Sequence, residues 1–316
     1  MINTNINPNE ALKRIGVHLR PTPIFRSRIL DKLVGGHELF FKAEMLQKTG
    51  SFKSRGALNT LLWAKEQGLL TDQIVAVSSG NHAQAVAWAA SLLGVKARVF
   101  MASSVSEAKL NATRAYGAEV VICENRAAAN RRVEEERGFF FVPPFDHDEI
   151  IAGQATSCLE AWMSDGPYDA VFAPCGGGGL LSGSLISTRL FSKDCQVFGS
   201  EPLTANDAAQ SIREGSIIRL SHSPDTICDG AQTLAISERS FKYLKQVQGI
   251  FEVDDNDVME WARQILVYLK LSVEPTGALG MPAAARWLRD ESVKRRVLII
   301  LSGGNMDKRT LAKMYG

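Results

Sequence analysis

Short β-branched runs alternate along this chain with stretches whose apolar residues fall at helical spacing. Gln73 to Val77 (QIVAV) predicts a strand that ends in Ser78-Ser79-Gly80, and Asn81 to Leu93 predicts an alanine-rich helix, apolar enough to be buried. Ala97 to Met101 predicts the next strand, Glu107 to Tyr116 a helix, and Glu119 to Cys123 a further strand. This β-α-β-α-β order implies a parallel sheet with helices packed on it. The second half repeats the style, with predicted strands at Asp169 to Ala173, Gln196 to Gly199 and Arg296 to Leu301. The last is almost continuously apolar, as a strand buried on both faces should be. Val258, Trp261, Ala262, Ile265, Leu266 and Leu269 define one face of a helix, with Asp257 as its N-cap. Phe139 to Asp148, containing Pro143-Pro144, predicts the crossing between two α/β units.

The chain has 316 residues, enough for two domains or one large one. With 45% hydrophobic residues it can bury a substantial core without disulfides or structural metals. A net charge of +2 leaves no electrostatic footprint for nucleic acid or an anionic membrane. The Arg131-Arg132 cluster, followed by Glu134-Glu135-Glu136, predicts a solvated helix face. Five widely spaced cysteines without a C-x-x-C motif predict reduced thiols in a cytoplasmic protein. The start of the chain is polar and asparagine-rich rather than signal-like, and no apolar run reaches the roughly 18 to 20 residues of a membrane helix. His147, in Asp146-His147-Asp148, reads as part of a polar loop.

Three glycine-containing loops follow predicted strands directly, where open α/β sheets bind their ligands. In Cys175-Gly176-Gly177-Gly178-Gly179-Leu180, four successive glycines let backbone N–H groups approach an anion beside a helix N-terminus. A tight turn alone needs only one glycine. A dinucleotide fingerprint misses here by one residue, because Ser182 stands at the third glycine position, yet Glu201 lies at about the right distance for the ribose acid. Nicotinamide binding therefore competes on this segment. Gly50 to Ala57 holds Lys53 between an aromatic and a small residue, a setting that can lower an amine's pKa and make it a nucleophile. No S-x-x-K spacing stands in that segment to suggest a Ser–Lys hydrolase.

Taken together, Ser51-Phe52-Lys53-Ser54-Arg55-Gly56-Ala57, Ser78-Ser79-Gly80-Asn81-His82-Ala83-Gln84, Gly176 to Gly179, and Ser302-Gly303-Gly304-Asn305 resemble the serine/threonine dehydratase and serine racemase family. These are pyridoxal-phosphate (PLP) enzymes of fold type II. The resemblance runs from about Pro21 to Asn305. It implies an α/β fold of two open, twisted, mostly parallel-sheet domains, with the active site in the cleft between them. Residues 1–68 and 150–316 would form the large PLP-binding domain and 69–149 the small one. A cytoplasmic homodimer is expected, with a small amino acid as its only partner.

The resemblance also implies roles. Lys53 carries the cofactor as a Schiff base and moves the Cα proton, and Phe52 packs beside the ring. Asn81 bonds the ring hydroxyl and Ser302 faces the pyridine nitrogen. Gly176, Gly177, Gly178, Gly179 and Leu180 cradle the phosphate, while Ser78, Ser79, Asn81 and His82 hold the substrate carboxylate. Glu201 and Asp207, with the carbonyl of Ala205, match a Mg²⁺ or Ca²⁺ site, a reading that competes with the ribose acid for Glu201. Ser79 is the discriminating position: racemases of the family use a serine there as acid/base on the face opposite the lysine, and many threonine dehydratases have alanine. Ala83, in contrast, follows the dehydratase-like N-H-A-Q pattern. The expected reaction is dehydration of L-threonine or L-serine to the 2-oxo acid and ammonia; serine racemisation is the first alternative and hydroxyaspartate dehydration the next.

Overall fold

A computed structural model describes residues 5–315. Its architecture is α/β, with two mostly parallel sheets. The larger sheet has six strands in the order Ile24–Phe25, Glu38–Ala43, Arg296–Leu301, Ala170–Pro174, Gln196–Pro202 and Gly249–Val253. Only the short first strand runs antiparallel to its neighbour. The smaller sheet has four parallel strands in the order Glu119–Cys123, Lys96–Ala102, Gln73–Val77 and Phe140–Phe141.

Arg296–Leu301 lies inside the large sheet, and Val297 to Leu301 are fully buried, which accounts for its continuous apolar run. Helix Asn81–Leu93 is buried along most of its length, as its composition predicts. One detail differs from the sequence expectation. The helix that carries the Val258 to Leu269 face is Asp255–Leu269, capped by Asp254, whose side chain accepts from the N–H of Asn256. In a run of acids, Asp254 is the one with extended backbone, as an N-cap requires. His147 is more than a residue of the polar loop: its Nδ1 accepts from Glu149 N at 3.1 Å and caps helix Asp148–Asp165.

The Phe139 to Asp148 stretch contributes the edge strand of the small sheet and then leads into helix Asp148–Asp165, which packs against helices Lys53–Glu66 and Gly179–Phe191. All five cysteines are free and buried. Among the described residues no helix is long and apolar enough to cross a membrane.

Candidate active site

The four sequence motifs come together between the two sheets. Ser51 forms an isolated bridge with Gly303, Phe52 N donates to Ser302 O at 3.1 Å, and Gly304 N donates to Gly50 O at 3.0 Å. Asn305 Nδ2 donates to Thr49 O (2.7 Å) and to Asn81 Oδ1 (2.8 Å), so one side chain ties the first, second and fourth motifs together. Asn81 Nδ2 donates to Glu274 Oε1 at 2.7 Å. Burial, with the charge of Asp229, pushes the Glu274 carboxyl above its usual range. Its second oxygen has no partner.

Lys53 opens helix Lys53–Glu66 and donates from Nζ to the carbonyl of Pro144 at 2.7 Å. That is a neutral acceptor. Burial first, and then the positive charge of Arg126, lower the Lys53 pKa to about 8. Phe52 is buried, and Lys53 Nζ stands 5.1 Å from its ring centroid. Two positions further on, Arg55 is completely buried. Its guanidinium meets Glu44 at 2.7 and 2.9 Å and Glu160 at 2.7 Å through two of its nitrogens, with Thr156 and Thr22 as further acceptors. This network pins the first turn of the helix that presents Lys53.

The second motif begins helix Asn81–Leu93 without a side-chain cap, so its first N–H groups face the cleft. Ser78 Oγ accepts from Gly80 N, and Ser79 Oγ accepts from Ala102 N, both at 3.2 Å. His82 is buried, with Nε2 3.0 Å from the carbonyl of Val142. A carbonyl can only accept, so Nε2 carries the proton. Burial and the Lys53 charge hold the ring neutral, lowering its pKa to about 3. Its Nδ1 has no partner.

The glycine loop leads into helix Gly179–Phe191, which also lacks a side-chain cap. Gly178 has φ +87°, in the left-handed region that favours glycine. A Cβ at Gly177 would lie 2.2 Å from the Phe145 ring, and one at Gly176 would press on the 230–233 segment. The buried hydroxyl oxygens of Ser182 and Thr233 have no partner. Uncapped helix N–H groups, a loop that excludes side chains and orphaned hydroxyls suit a phosphate.

Glu201 and Asp207 are both fully buried. Glu201 accepts from Ala208 N and Ala209 N (3.3 and 2.9 Å), whereas neither Asp207 oxygen has a hydrogen-bond partner. Burial, with the Asp207 charge, pushes the Glu201 carboxyl well up, and burial raises Asp207 to about 7. Two acids without a basic partner suit a hard cation. Among the described residues no group of three or more His, Cys, Asp or Glu side chains could hold a metal ion. Such a cation would therefore need main-chain oxygen, such as that of buried Ala205, and water.

Sequence reasoning missed Pro144, Phe145, Glu274 and Arg126. They stand outside the four motifs, and their spacing carries no signal.

Comparison with known proteins agrees with this arrangement. The chain is 40% identical over 310 residues to an L-threo-3-hydroxyaspartate ammonia-lyase of Saccharomyces cerevisiae, covering 96% of this chain and 94% of that one. It is 40% identical to a serine racemase of Schizosaccharomyces pombe, covering 94% and 92%. Among solved structures, a T.th. threonine deaminase superposes with a TM-score of 0.86 at 42% identity, covering 95% of this chain and 97% of that one. Maize serine racemase gives 0.90 at 33% identity, covering 98% and 95%. Residues 15–303 match the family described as "Pyridoxal-phosphate dependent enzyme". A match over that span, with ammonia-lyases and racemases among the relatives, makes this chain a member of the pyridoxal-phosphate dependent enzyme family.

Proposed function

We propose that this protein is an ammonia-lyase that removes the β-hydroxyl from L-threonine or L-serine, giving the 2-oxo acid and ammonia. The observation that carries the reading is Lys53, a cleft lysine held near pKa 8 with only a carbonyl for a partner. PLP, when bound, supplies the electron sink that lets a Cα–H bond break. In this reading Lys53 is the attachment point and the base for that proton. The amides of Gly176 to Gly179 and Leu180 would hold the cofactor's phosphate, and Phe52, Asn81 and Ser302 would hold its ring. Glu274 and Asn305 orient Asn81 through the two bonds described above. The uncapped 78–82 loop, with Ser78, Asn81 and the main-chain N–H of His82, would bind the α-carboxylate. A Mg²⁺ or Ca²⁺ ion on Glu201, Asp207 and the Ala205 carbonyl would compensate the two buried acids. The large unit would comprise residues 1–68 and 150–316, and the small unit 69–149.

Serine racemisation is the second reading, and Ser79 favours it. Its oxygen is fixed by the N–H of Ala102, which leaves its own O–H free to donate. Racemisation needs acid/base groups on both faces, whereas elimination from the L-isomer needs only the lysine face.

The test is incubation of the holoenzyme with L-serine, D-serine, L-threonine and 3-hydroxyaspartate, following both 2-oxo acid and chirality. The L-hydroxy amino acids should give 2-oxo acid. Ser79→Ala should lose racemisation and D-serine use by roughly 10² to 10⁴-fold while keeping part of the L-substrate elimination. Formation of no 2-oxo acid from any of the four would overturn the proposal.

A further inference from the structure

Two cations on the small-sheet side reach across the cleft. Lys109, on helix Glu107–Ala115, pairs with the carboxylate of Asp229 in the turn Asp229–Ala231. Arg126, the first residue of helix Arg126–Glu135, reaches the same segment but finds only a neutral group there. Its Nη1 donates to the carbonyl of Gln232 at 2.9 Å. Among the described residues no carboxylate pairs with Arg126, although Arg98 on the neighbouring strand has two. The Gln232 contact uses one of five N–H donors, so the rest of the guanidinium fork is available. Arg126 is exposed, so a substrate can reach it.

Its position is close to the chemistry. The 230–233 segment it touches lies against Gly176, whose Cβ would stand 3.0 Å from Gly230 O and 3.8 Å from Thr233 Oγ1. Its charge is also felt at Lys53. The α-carboxylate already has a candidate seat at the 78–82 loop, with its uncapped helix. A second, unpaired fork on the same small-sheet side, following strand Glu119–Cys123 rather than Gln73–Val77, has no use for L-serine or L-threonine, whose side chains carry no anion. It suits a substrate with a carboxylate at each end, since guanidinium and carboxylate match as a bidentate pair.

We infer that Arg126 is a specificity-determining residue that receives the side-chain carboxylate of a β-hydroxy dicarboxylic amino acid, making 3-hydroxyaspartate the preferred member of the substrate class. The inference rests on the elimination reading above: the reaction is the same, and 3-hydroxyaspartate takes the place of L-threonine and L-serine as the preferred substrate.

The test compares wild type, Arg126→Ala and Arg126→Lys as holoenzymes. The first measurement is kcat/KM for 3-hydroxyaspartate and for L-threonine. Loss of a charge-assisted pair is expected to lower the ratio of the two on the order of 100-fold in Arg126→Ala, with partial recovery in Arg126→Lys. An equal loss on both substrates overturns the inference. The second measurement is protection against thermal unfolding by L-malate and by L-lactate, which requires no turnover. L-malate should protect wild type more than L-lactate does, and Arg126→Ala should erase the difference. Equal protection of wild type and Arg126→Ala by L-malate overturns the inference even if neither amino acid is turned over. Failure of wild type to eliminate either substrate refutes the elimination reading instead. The third measurement is visible absorbance during dialysis. Cofactor loss from Arg126→Ala faster than from wild type would assign the guanidinium to the cofactor phosphate, and the inference would fall.

Discussion

Replacing Lys53 by methionine should make the cofactor-free protein more stable at pH 7. The reasoning begins with the lysine's surroundings. Burial and the Arg126 charge bring its pKa from 10.5 to about 8 in the folded protein. A shift of about 2.5 units corresponds to roughly 3 kcal/mol spent holding the ammonium form in the cleft at pH 7. Methionine fills a similar volume without charge. It also leaves the Pro144 carbonyl without its lysine partner, which costs back about 1 kcal/mol. The net gain should be about 2 kcal/mol. The sign of the pH dependence follows from proton counting. Between about pH 8 and 10.5 the unfolded chain holds the lysine proton and the folded one does not, so wild-type stability from this group rises with pH in that window. Below pH 8 both states are protonated and the penalty is constant. The advantage of Lys53→Met should therefore be full at pH 7 and shrink toward pH 10. Urea unfolding of both proteins across that range reads it directly. A variant less stable than wild type at pH 7, or a difference that does not change with pH, would refute the reasoning. The same shift makes the neutral, nucleophilic amine about 300-fold more abundant at pH 7 than in a free lysine, and this is the functional return on the strain.

Two further outcomes test the rest of the site. Gly178→Asp should give a folded protein that does not retain the cofactor's yellow colour. It places a side chain at φ +87°, 2.7 Å from Ser240 Cβ, and brings a negative charge toward the phosphate cradle; wild-type colour after dialysis would count against the cradle. Millimolar Mg²⁺ or Ca²⁺ should raise the melting temperature of wild type, while Asp207→Asn should be more stable than wild type in chelator and indifferent to the ion. A wild-type melting temperature that ignores both ions and chelator would detach Glu201 and Asp207 from cation binding.

Elements with a clear period were legible in the sequence. The 73–123 strands and helices, and the Arg296–Leu301 strand, lie where their apolar patterns predict, to within a residue or so at the ends. Strand Glu38–Ala43 went unread: its ELFFKA has Lys42 and the following Glu44 fully buried, and only the distant partners Glu160 and Arg55 make those charges tolerable. Helix Asp148–Asp165 also went unread. It is buried continuously from Ile150 to Trp162, so it has no polar face to set a period. The candidate site was legible where glycines and a lysine cluster in short motifs. Pro144 contributes a backbone carbonyl and Arg126 a lone side chain, and neither leaves a pattern in one sequence.

The Ser51 to Ala57 segment shows what separates holding the fold from preparing the chemistry. Lys53 and Arg55 are two residues apart on one helix turn, and they meet opposite fates. All three Arg55 nitrogens have partners, two carboxylates among them, and Glu44 and Glu160 outweigh its burial to keep it charged. Removing either acid would leave a buried charge uncompensated, a loss of several kcal/mol, which is why this network fixes the helix so firmly. Lys53 receives one carbonyl and a cation for a neighbour. Around it stand other unpartnered groups, among them Ser51 Oγ, His82 Nδ1 and Glu274 Oε2. A chain selected only for stability would satisfy these groups or replace them with apolar residues. Here the fully paired Arg55 network and the unpartnered atoms of Ser51, His82 and Glu274 belong to the same cluster of motifs. The paired network is what keeps the unpartnered groups in place, so the two act together: Arg55 sets where Lys53 stands, and the groups left without partners set what Lys53 can bind and move.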